Sequence, residues 1–357
     1  LTVLHAKVDV LEGELPRELV GGADRLARRS FVVLTLMRDD GTMGVGEASP
    51  LPGYSPDDVE TAASALYRLV EDPVEVDPLA TPFEIVSAAL GSRPIDEPSA
   101  RFAIETAVLD WLGHNRGAPV HRVLGGDADP APIPIGDLMM SPDAADWPRE
   151  TSGLVADGAT HIKYKVGRDF ASEVSALETI RAAHPDLPIR LDGNRRLSVP
   201  ELRAHDSALQ ALELELFEEP VGPTEWSEAL EQGLPWALDE TLLDSEASRR
   251  HLDTGRVQAV VLKPTLLGGF TACLAWAERA AAAGADFTVS HTFDGPIARA
   301  ATAELGLALQ CRLAAGLGQH PALSLWPPVG DPAIEGRRIV AHDAPGLGLS
   351  FEDEDDA

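Results

Sequence analysis

The run His161-Ile162-Lys163-Tyr164-Lys165-Val166-Gly167 sets two lysines one residue apart in an otherwise apolar stretch. Strand alternation puts both side chains on one face. Lysine, unlike arginine, loses its proton when its surroundings depress its pKa, and can then act as a base. Only four of the 29 basic residues are lysine (Lys7, Lys163, Lys165 and Lys263), so a close pair stands out. A solvated pair on an outer face is the plain alternative. Four later apolar runs also end in charge: Leu191-Asp192-Gly193-Asn194, Phe217-Glu218-Glu219-Pro220, Leu238-Asp239-Glu240 and Leu262-Lys263-Pro264.

These residues need elements to hold them. From Ile133, short apolar runs (Ile133–Leu138, His161–Val166, Ile189–Leu191, Leu214–Phe217, Ala237–Leu238, Ala259–Leu262, Phe287–Ser290 and a weaker Leu313–Leu317) alternate with helix-like stretches such as Ala171–Ala183, Val199–Ala211, Gly269–Ala283 and Ile297–Gln310. Strands separated by helices imply βαβ units and a parallel sheet. Seven or eight units in this length point to a (β/α) barrel, whose sites lie at the C-terminal ends of the strands. Five consecutive strands then end in Lys, Asp, Glu, Asp and Lys. A single Asp there is often only a helix N-cap. Converging carboxylates repel one another and call for a cation. An all-oxygen set suits Mg²⁺, and without Cys or His it does not suit zinc. Lysines on two sides of such a site would face each other across a substrate, with neighbouring cations depressing their pKa values. The chemistry expected is removal of the proton α to a metal-bound carboxylate, with the enediolate stabilised by the metal.

The first part of the chain has a different rhythm. Thr2–Leu11, Ser30–Arg38 and Met43–Ala48 read as a hairpin-rich sheet, with a turn at Asp39-Asp40-Gly41. Ser49-Pro50-Leu51-Pro52-Gly53-Tyr54-Ser55 reads as an ordered loop. Helices are expected from Pro56 to about Glu71 and over Ser99–His114. The spacing divides the chain into an α+β unit at 1–127, a barrel at 128–320 and a C-terminal segment at 321–357 that packs back on the first unit. The run Glu352-Asp353-Glu354-Asp355-Asp356 reads as a solvated tail.

The series Lys-x-Lys, Asp-x-Asn, Glu-Glu-Pro, Asp-Glu and Lys-Pro resembles the enolase superfamily, in its muconate-lactonizing subgroup. Gly46-Glu47-Ala48 and the stretch from Ala103 to Gly126 look like that family's capping domain. The resemblance implies an α/β fold, a (β/α)7β TIM-like barrel with an α+β cap built from the N-terminal region and the C-terminal segment. It implies Asp192, Glu218 and Asp239 as Mg²⁺ ligands, with Glu219 and Glu240 behind them. Within the subgroup the loop Ser49–Ser55, Asp192-Gly193-Asn194-Arg195 and Val261-Leu262-Lys263-Pro264-Thr265-Leu266 are similar to the o-succinylbenzoate synthase family. That likeness implies a lyase dehydrating 2-succinyl-6-hydroxy-2,4-cyclohexadiene-1-carboxylate. Lys165 would be the base, Lys263 the cation opposite and Lys163 the partner that tunes Lys165. Pro52, Gly53, Tyr54, Asn194, Ser290 and Thr292 would contact substrate. Dipeptide epimerases usually carry Asp-x-Asp near the last strand, where this chain reads Ser290-His291-Thr292-Phe293-Asp294. N-succinylamino acid racemases often have Arg where Leu266 stands. His291 and Phe293 are bulkier than the small residues expected in the synthases. A barrel that only binds ligand is the reading from another class, and the complete set of lysines and carboxylates argues against it.

A formal charge of −29 excludes nucleic acid and anionic membrane surfaces as partners, because phosphate binding needs a basic footprint. No apolar run is long enough to span a membrane, and Leu1 opens a strand-like segment rather than a leader. Two cysteines, Cys273 and Cys311, are too few for a disulfide framework, so a cytoplasmic setting is expected. The partner expected is a small carboxylate substrate, and a homo-oligomer is left open. The acidic excess reads either as adaptation to high salt, where screening relieves self-repulsion, or as a codon bias. A melting temperature that climbs between 10 mM and 2 M salt selects the first; one that stays level selects the second.

Overall fold

The computed structural model describes residues 1–21, 24–91, 95–327 and 329–351. The acidic run at 352–357 lies outside them. In the cap, β1 (Thr2–Gly21), β2 (Asp24–Met37), β3 (Met43–Ala48) and, after α1 (Val59–Glu71), β4 (Val74–Val76) form one antiparallel sheet in the order β3-β2-β1-β4. The first two strands run well beyond the expected Thr2–Leu11 and Ser30–Arg38. The added part carries Arg28 opposite Glu14 and in a diagonal ion pair with Glu12, 3.2 Å away, so charged side chains facing solvent continue the ladder past the apolar core. Asp58 and Thr61 close a capping box at the start of α1. The helices α2 (Pro82–Leu90), not expected from the sequence, and α3 (Pro98–Arg116) complete the cap.

The pin of the molecule is α3. It is buried over most of its surface, including the charged Glu105 and Asp110. Asp110 accepts the N–H groups of Val45 in β3 (2.8 Å) and Leu347 in the C-terminal segment (2.7 Å). Glu105 accepts Thr271 N–H (2.9 Å) at the start of the barrel helix that follows Gly268-Gly269. Against β3 the helix packs backbone to backbone. A Cβ on Gly46 would lie 1.9 Å from the Ala103 carbonyl oxygen.

The barrel strands are β5 (Asp137–Leu138), β6 (Ile162–Lys165), β7 (Ile189–Asp192), β8 (Leu216–Glu218), β9 (Trp236–Leu238), β10 (Val257–Leu262) and β11 (Asp286–Val289), all parallel and each beside its sequence neighbour. Between and after them run α4 (Trp147–Ala156), α5 (Phe170–Ala183), α6 (Phe270–Ala282) and α7 (Pro296–Leu309), with shorter helices in the remaining gaps. The weak segment 313–317 closes the ring through single parallel bridges, Ser290 to Gly316 and Ile135 to Ala315. The expected strand Ile133–Leu138 is split. Ile133–Pro134 pairs antiparallel with Arg338–Ile339 of the C-terminal segment, and only Asp137–Leu138 joins the barrel. Pro134 lacks an N–H to continue the ladder. The expected helix Val199–Ala211 breaks into two short ones at His205. Trp111 and Trp226 are fully buried packing residues. Among the described residues no helix is long and apolar enough to cross a membrane, and Cys273 and Cys311 are free and buried.

The contact of β3 with α3 generates a pair of opposite expectations. Gly46→Ala must push a backbone carbonyl, not a flexible side chain, and should cost roughly 3 kcal/mol or more. Gly153→Ala, inside α4 with nothing within 4 Å of the new Cβ, should be neutral or stabilise by about 0.5–1 kcal/mol. Urea unfolding of the two variants checks both signs.

Candidate active site

Alternation in β6 settles which way its side chains point. Tyr164 is buried outward against α4, its hydroxyl 2.7 Å from Thr151, so Lys163 and Lys165 point into the barrel. Register then sets their neighbours: Lys165 lies opposite Asp192, and Asp192 opposite Glu218, on three adjacent strands. Asp239 follows β9, and Lys263 follows β10, four strands round the ring from β6 and hence across it. The strand ends therefore bring the predicted lysines and carboxylates to one mouth.

Lys163 Nζ lies 2.9 Å from Glu218 and 3.4 Å from Asp192. Lys263 donates to Asp239 and, at 2.7 Å, to the Tyr54 hydroxyl, with its Nζ 5.1 Å from the Tyr54 ring centre. Lys165 has no hydrogen bond or ion pair among the described residues. The three lysines differ accordingly. Burial opposes the charge of Lys163, but Glu218 and Asp192 outweigh it and raise its pKa. Asp239, Glu240 and Asp192 do the same for Lys263. Lys165 moves the other way: burial lowers its pKa, and the cations of Lys163 and Lys263 push in the same direction against Asp192. The sequence led to depressed values for the facing lysines generally. Only Lys165 conforms, because the other two rest on carboxylates.

Neither Asp192 nor Asp239 is used as a helix cap. Asp192 accepts the Asn194 N–H (3.1 Å) and Asp239 makes no capping bond. Glu218 and Glu219 part company at the end of β8. Glu218 faces the mouth, whereas Glu219, at φ 38°, turns back and accepts the N–H groups of Asp239 (2.9 Å) and Thr241 (2.7 Å) and the Arg195 guanidinium (3.0 Å). It fixes the loop that carries Asp239 and Glu240. Asn194 donates to Glu240 (3.2 Å), whose other oxygen is buried without a partner.

A cation fits this mouth. Burial, then Glu240, Glu218 and Asp192, push the Asp239 carboxyl well up, so the site is short of positive charge. No three acidic, His or Cys side chains among the described residues converge as a ready metal-holding set. The donors are all oxygen, of the kind Mg²⁺ takes.

Above the mouth is a cavity of about 590 Å³ lined by the three lysines, Asp192, Glu218, Asn194, Ser290, Thr292 and Tyr54. Pro52 and Gly53, expected to touch substrate, are exposed and do not line it. The turn closed on the Leu51 carbonyl by the N–H groups of Tyr54 (3.0 Å) and Ser55 (2.9 Å) sends Leu51 and Tyr54 inward and the two residues between them out. Sequence reasoning missed Leu51, Arg17 and His320 as lining residues. Only Leu51 had a signal, its place in the loop. His320 stacks on His291, ring centres 4.6 Å apart, and both rings are neutral. Burial, then each other's neighbourhood and Arg299, push His291 well down; burial, then Arg299 and Arg29, take His320 to about 3.

A (β/α) barrel with lysines and carboxylates at its mouth under an α+β cap defines a class of enzymes. The chain matches the model described as "Enolase C-terminal domain-like" over residues 147–355 and that of the mandelate racemase / muconate lactonizing enzyme N-terminal domain over residues 22–125. It belongs to the enolase superfamily, in the muconate-lactonizing subgroup. It is 29% identical to an o-succinylbenzoate synthase of Desulfotalea psychrophila, over 78% of this chain and 83% of the relative. It is 26% identical to an aromatic dipeptide epimerase of Herpetosiphon aurantiacus, over 70% of each. Among solved structures, the dipeptide epimerase of Methylococcus capsulatus complexed with Mg and the dipeptide L-Arg-D-Lys superposes with a TM-score of 0.86, at 20% identity over 98% of this chain and 100% of that one. The N-succinyl Arg/Lys racemase of Bacillus cereus superposes at 0.85, with 18% identity over 99% and 96%. These two likenesses show the fold.

Proposed function

We propose that this chain is a Mg²⁺-dependent lyase, an o-succinylbenzoate synthase that dehydrates 2-succinyl-6-hydroxy-2,4-cyclohexadiene-1-carboxylate. The observation that carries the reading is the division of labour between facing lysines: Lys165 is unpaired with a lowered pKa, and Lys263 is held cationic across the barrel. A neutral amine is the base that α-proton removal needs. Lys165 takes the proton, the electron pair moves toward the substrate carboxylate, and the Lys263 ammonium stands beside the growing negative charge. The bond to the ring hydroxyl then breaks, Lys165 returns its proton to the departing oxygen, and water leaves as the ring becomes aromatic. Mg²⁺, held by Asp192, Glu218 and Asp239, supplies positive charge to the substrate carboxylate when bound. Lys163, on Glu218 and Asp192, keeps the carboxylates in place and lowers Lys165 further.

The cavity walls favour a substrate without a free amine. The carboxylates lining the cavity among the described residues are Asp137, Asp192 and Glu218. Asp137 pairs with Arg337, and the other two belong to the metal set. Asp294, near the last strand, is fully buried on Thr265 (3.0 Å) and Thr292 (2.7 Å) and offers nothing to a dipeptide ammonium. Racemisation of N-succinylamino acids is the second reading, because a neutral Lys165 facing a protonated Lys263 also suits proton transfer across two faces. Leu266 is buried and does not reach the cavity.

Loss of the dienecarboxylate absorbance tests the first reading, and deuterium exchange into N-succinylamino acids the second. Lys165→Ala should lower dehydration and α-proton exchange by roughly 10²–10⁴-fold while leaving Mg²⁺ affinity nearly unchanged. A variant retaining more than about a tenth of the wild-type rate contradicts Lys165 as base. Asp239→Asn should lose Mg²⁺ binding and activity together; unchanged binding in titration calorimetry removes Asp239 from the ligand set.

A further inference from the structure

Tyr54 reaches the barrel mouth from the cap, on a turn braced at both ends. The Leu51 carbonyl accepts the N–H groups of Tyr54 (3.0 Å) and Ser55 (2.9 Å), and the Ser55 hydroxyl accepts the Leu51 N–H (2.8 Å). The two residues before Leu51 are held by Arg29, which donates to the carbonyls of Ser49 (2.8 Å) and Pro50 (2.6 Å). Shortly after it, the capping box of Asp58 fixes the start of α1. These anchors bring the phenol to the cavity, which it lines.

The hydroxyl ends 2.7 Å from Lys263 Nζ, and the ring centre lies 5.1 Å from the same nitrogen. The phenol is neutral: burial, then Asp239, Glu240 and Asp192, push its pKa well above the ordinary value. It meets the ammonium as an uncharged acceptor, which adds direction without adding charge. An ammonium carries three N–H donors on a flexible stem. In Lys263 one goes to Asp239, from the barrel, and one to Tyr54, from the cap. Two fixed partners on one nitrogen settle where the third N–H points, and Lys263 lines the cavity. Lys163 differs, because both of its partners, Glu218 and Asp192, belong to the barrel.

We propose that Tyr54 is a positioning residue for Lys263: the cap loop supplies the second fixed partner that aims the ammonium at the substrate. The inference deepens the proposed function and rests on it only for Lys263 as the cation facing Lys165. A loop of the cap then governs the orientation of a barrel lysine, and the docking of the cap bears on the rate of reaction as well as on the fit of the substrate.

The test is spectroscopic and needs no turnover. The chain has four lysines, so protein labelled with ¹⁵N at lysine Nζ gives a side-chain spectrum simple enough to read residue by residue. Lys7 is exposed and Lys165 has no partner among the described residues, which leaves Lys163 and Lys263 as the ammonium groups whose protons should exchange slowly with water. Loss of one signal in Lys263→Met assigns the pair. In the presence of Mg²⁺, Tyr54→Phe, which keeps the ring and removes only the hydroxyl, should speed exchange at Lys263 by about tenfold or more and leave Lys163 unchanged. In turnover the same variant should lower kcat by roughly ten- to a hundredfold with KM nearly unchanged. Exchange at Lys263 that does not respond to Tyr54→Phe overturns the proposal. Equal acceleration at Lys163 and Lys263 also overturns it, as the mark of general loosening, and so does a loss confined to KM, as the mark of a substrate contact alone. Tyr54-dependent protection of Lys263 in protein that does not dehydrate the dienecarboxylate would defeat the proposed reaction and leave the positioning of Lys263 standing.

Discussion

The balance of charge at the barrel mouth is the constraint on which the rest of the structure depends. Asp192, Glu218, Asp239 and Glu240 crowd the ends of three adjacent strands, and three lysines are the cations that meet them. Like charges this close cannot all stay ionised unless positive charge lies between them. The lysines supply it unequally. Two rest on carboxylates, which raise their pKa values, and the third is left in a buried position beside the other two cations, where its pKa is lowered. The lysine whose pKa falls is thus selected by what its neighbours are doing and not by its residue type. Alternation makes the same selection among the acids: consecutive residues Glu218 and Glu219 are sent one into the mouth and one behind it, where Glu219 holds the next loop by its backbone.

The mouth is half a site until the cap covers it, and two buried charges make that seam. Glu47, at the end of β3, accepts the N–H groups of Gly295 (2.6 Å), Ile297 (3.2 Å) and Ala298 (3.3 Å), capping α7 from the other domain. Burial raises its pKa to about 7, against the pull of Ser49 and those amides. Arg29 spans the seam the other way, from the carbonyls of Ser49 and Pro50 to those of Thr292 (3.4 Å) and Phe293 (3.3 Å). Burial lowers its pKa to about 10, well above neutrality, so it stays cationic. The loop bearing Tyr54 and the loop bearing His291 are therefore fixed to each other before any substrate arrives.

The barrel and the group of residues at its mouth were legible because each strand exit carries its own residue. A period of two, a following turn and a charged residue are local facts, and parallel pairing in sequence order brings them together without further information. Strand ends were less legible where pairing comes from afar. Ile133–Pro134 leaves the barrel to meet Arg338–Ile339, and the long hairpin persists on cross-strand ion pairs after its apolar alternation fades. Of the proposed contacts in the loop Ser49–Ser55, Tyr54 lines the cavity and Pro52 and Gly53 do not, because the orientation of a turn depends on which carbonyl its amides reach. Glu47 is marked only as part of the Gly46-Glu47-Ala48 likeness, with no sign of its partners, and Arg29 carries no local signal at all. Their partners lie some 250 residues away or more.

This difference in legibility has a functional counterpart. The lysines and carboxylates of the mouth sit at the ends of the parallel strands β6 to β10, where register sets each one's neighbours. Much of the cavity wall comes from the turn at Leu51–Tyr54 and the loops after the last strands, which meet the mouth through the seam and through the Tyr54–Lys263 hydrogen bond. A substitution on the walls can alter shape and charge around the distal part of a substrate without moving Lys165, Asp192 or Glu218. Relatives of similar identity to this chain bear different names, as expected where the sheet fixes the residues of the mouth and the segments around the rest of the cavity are free to vary.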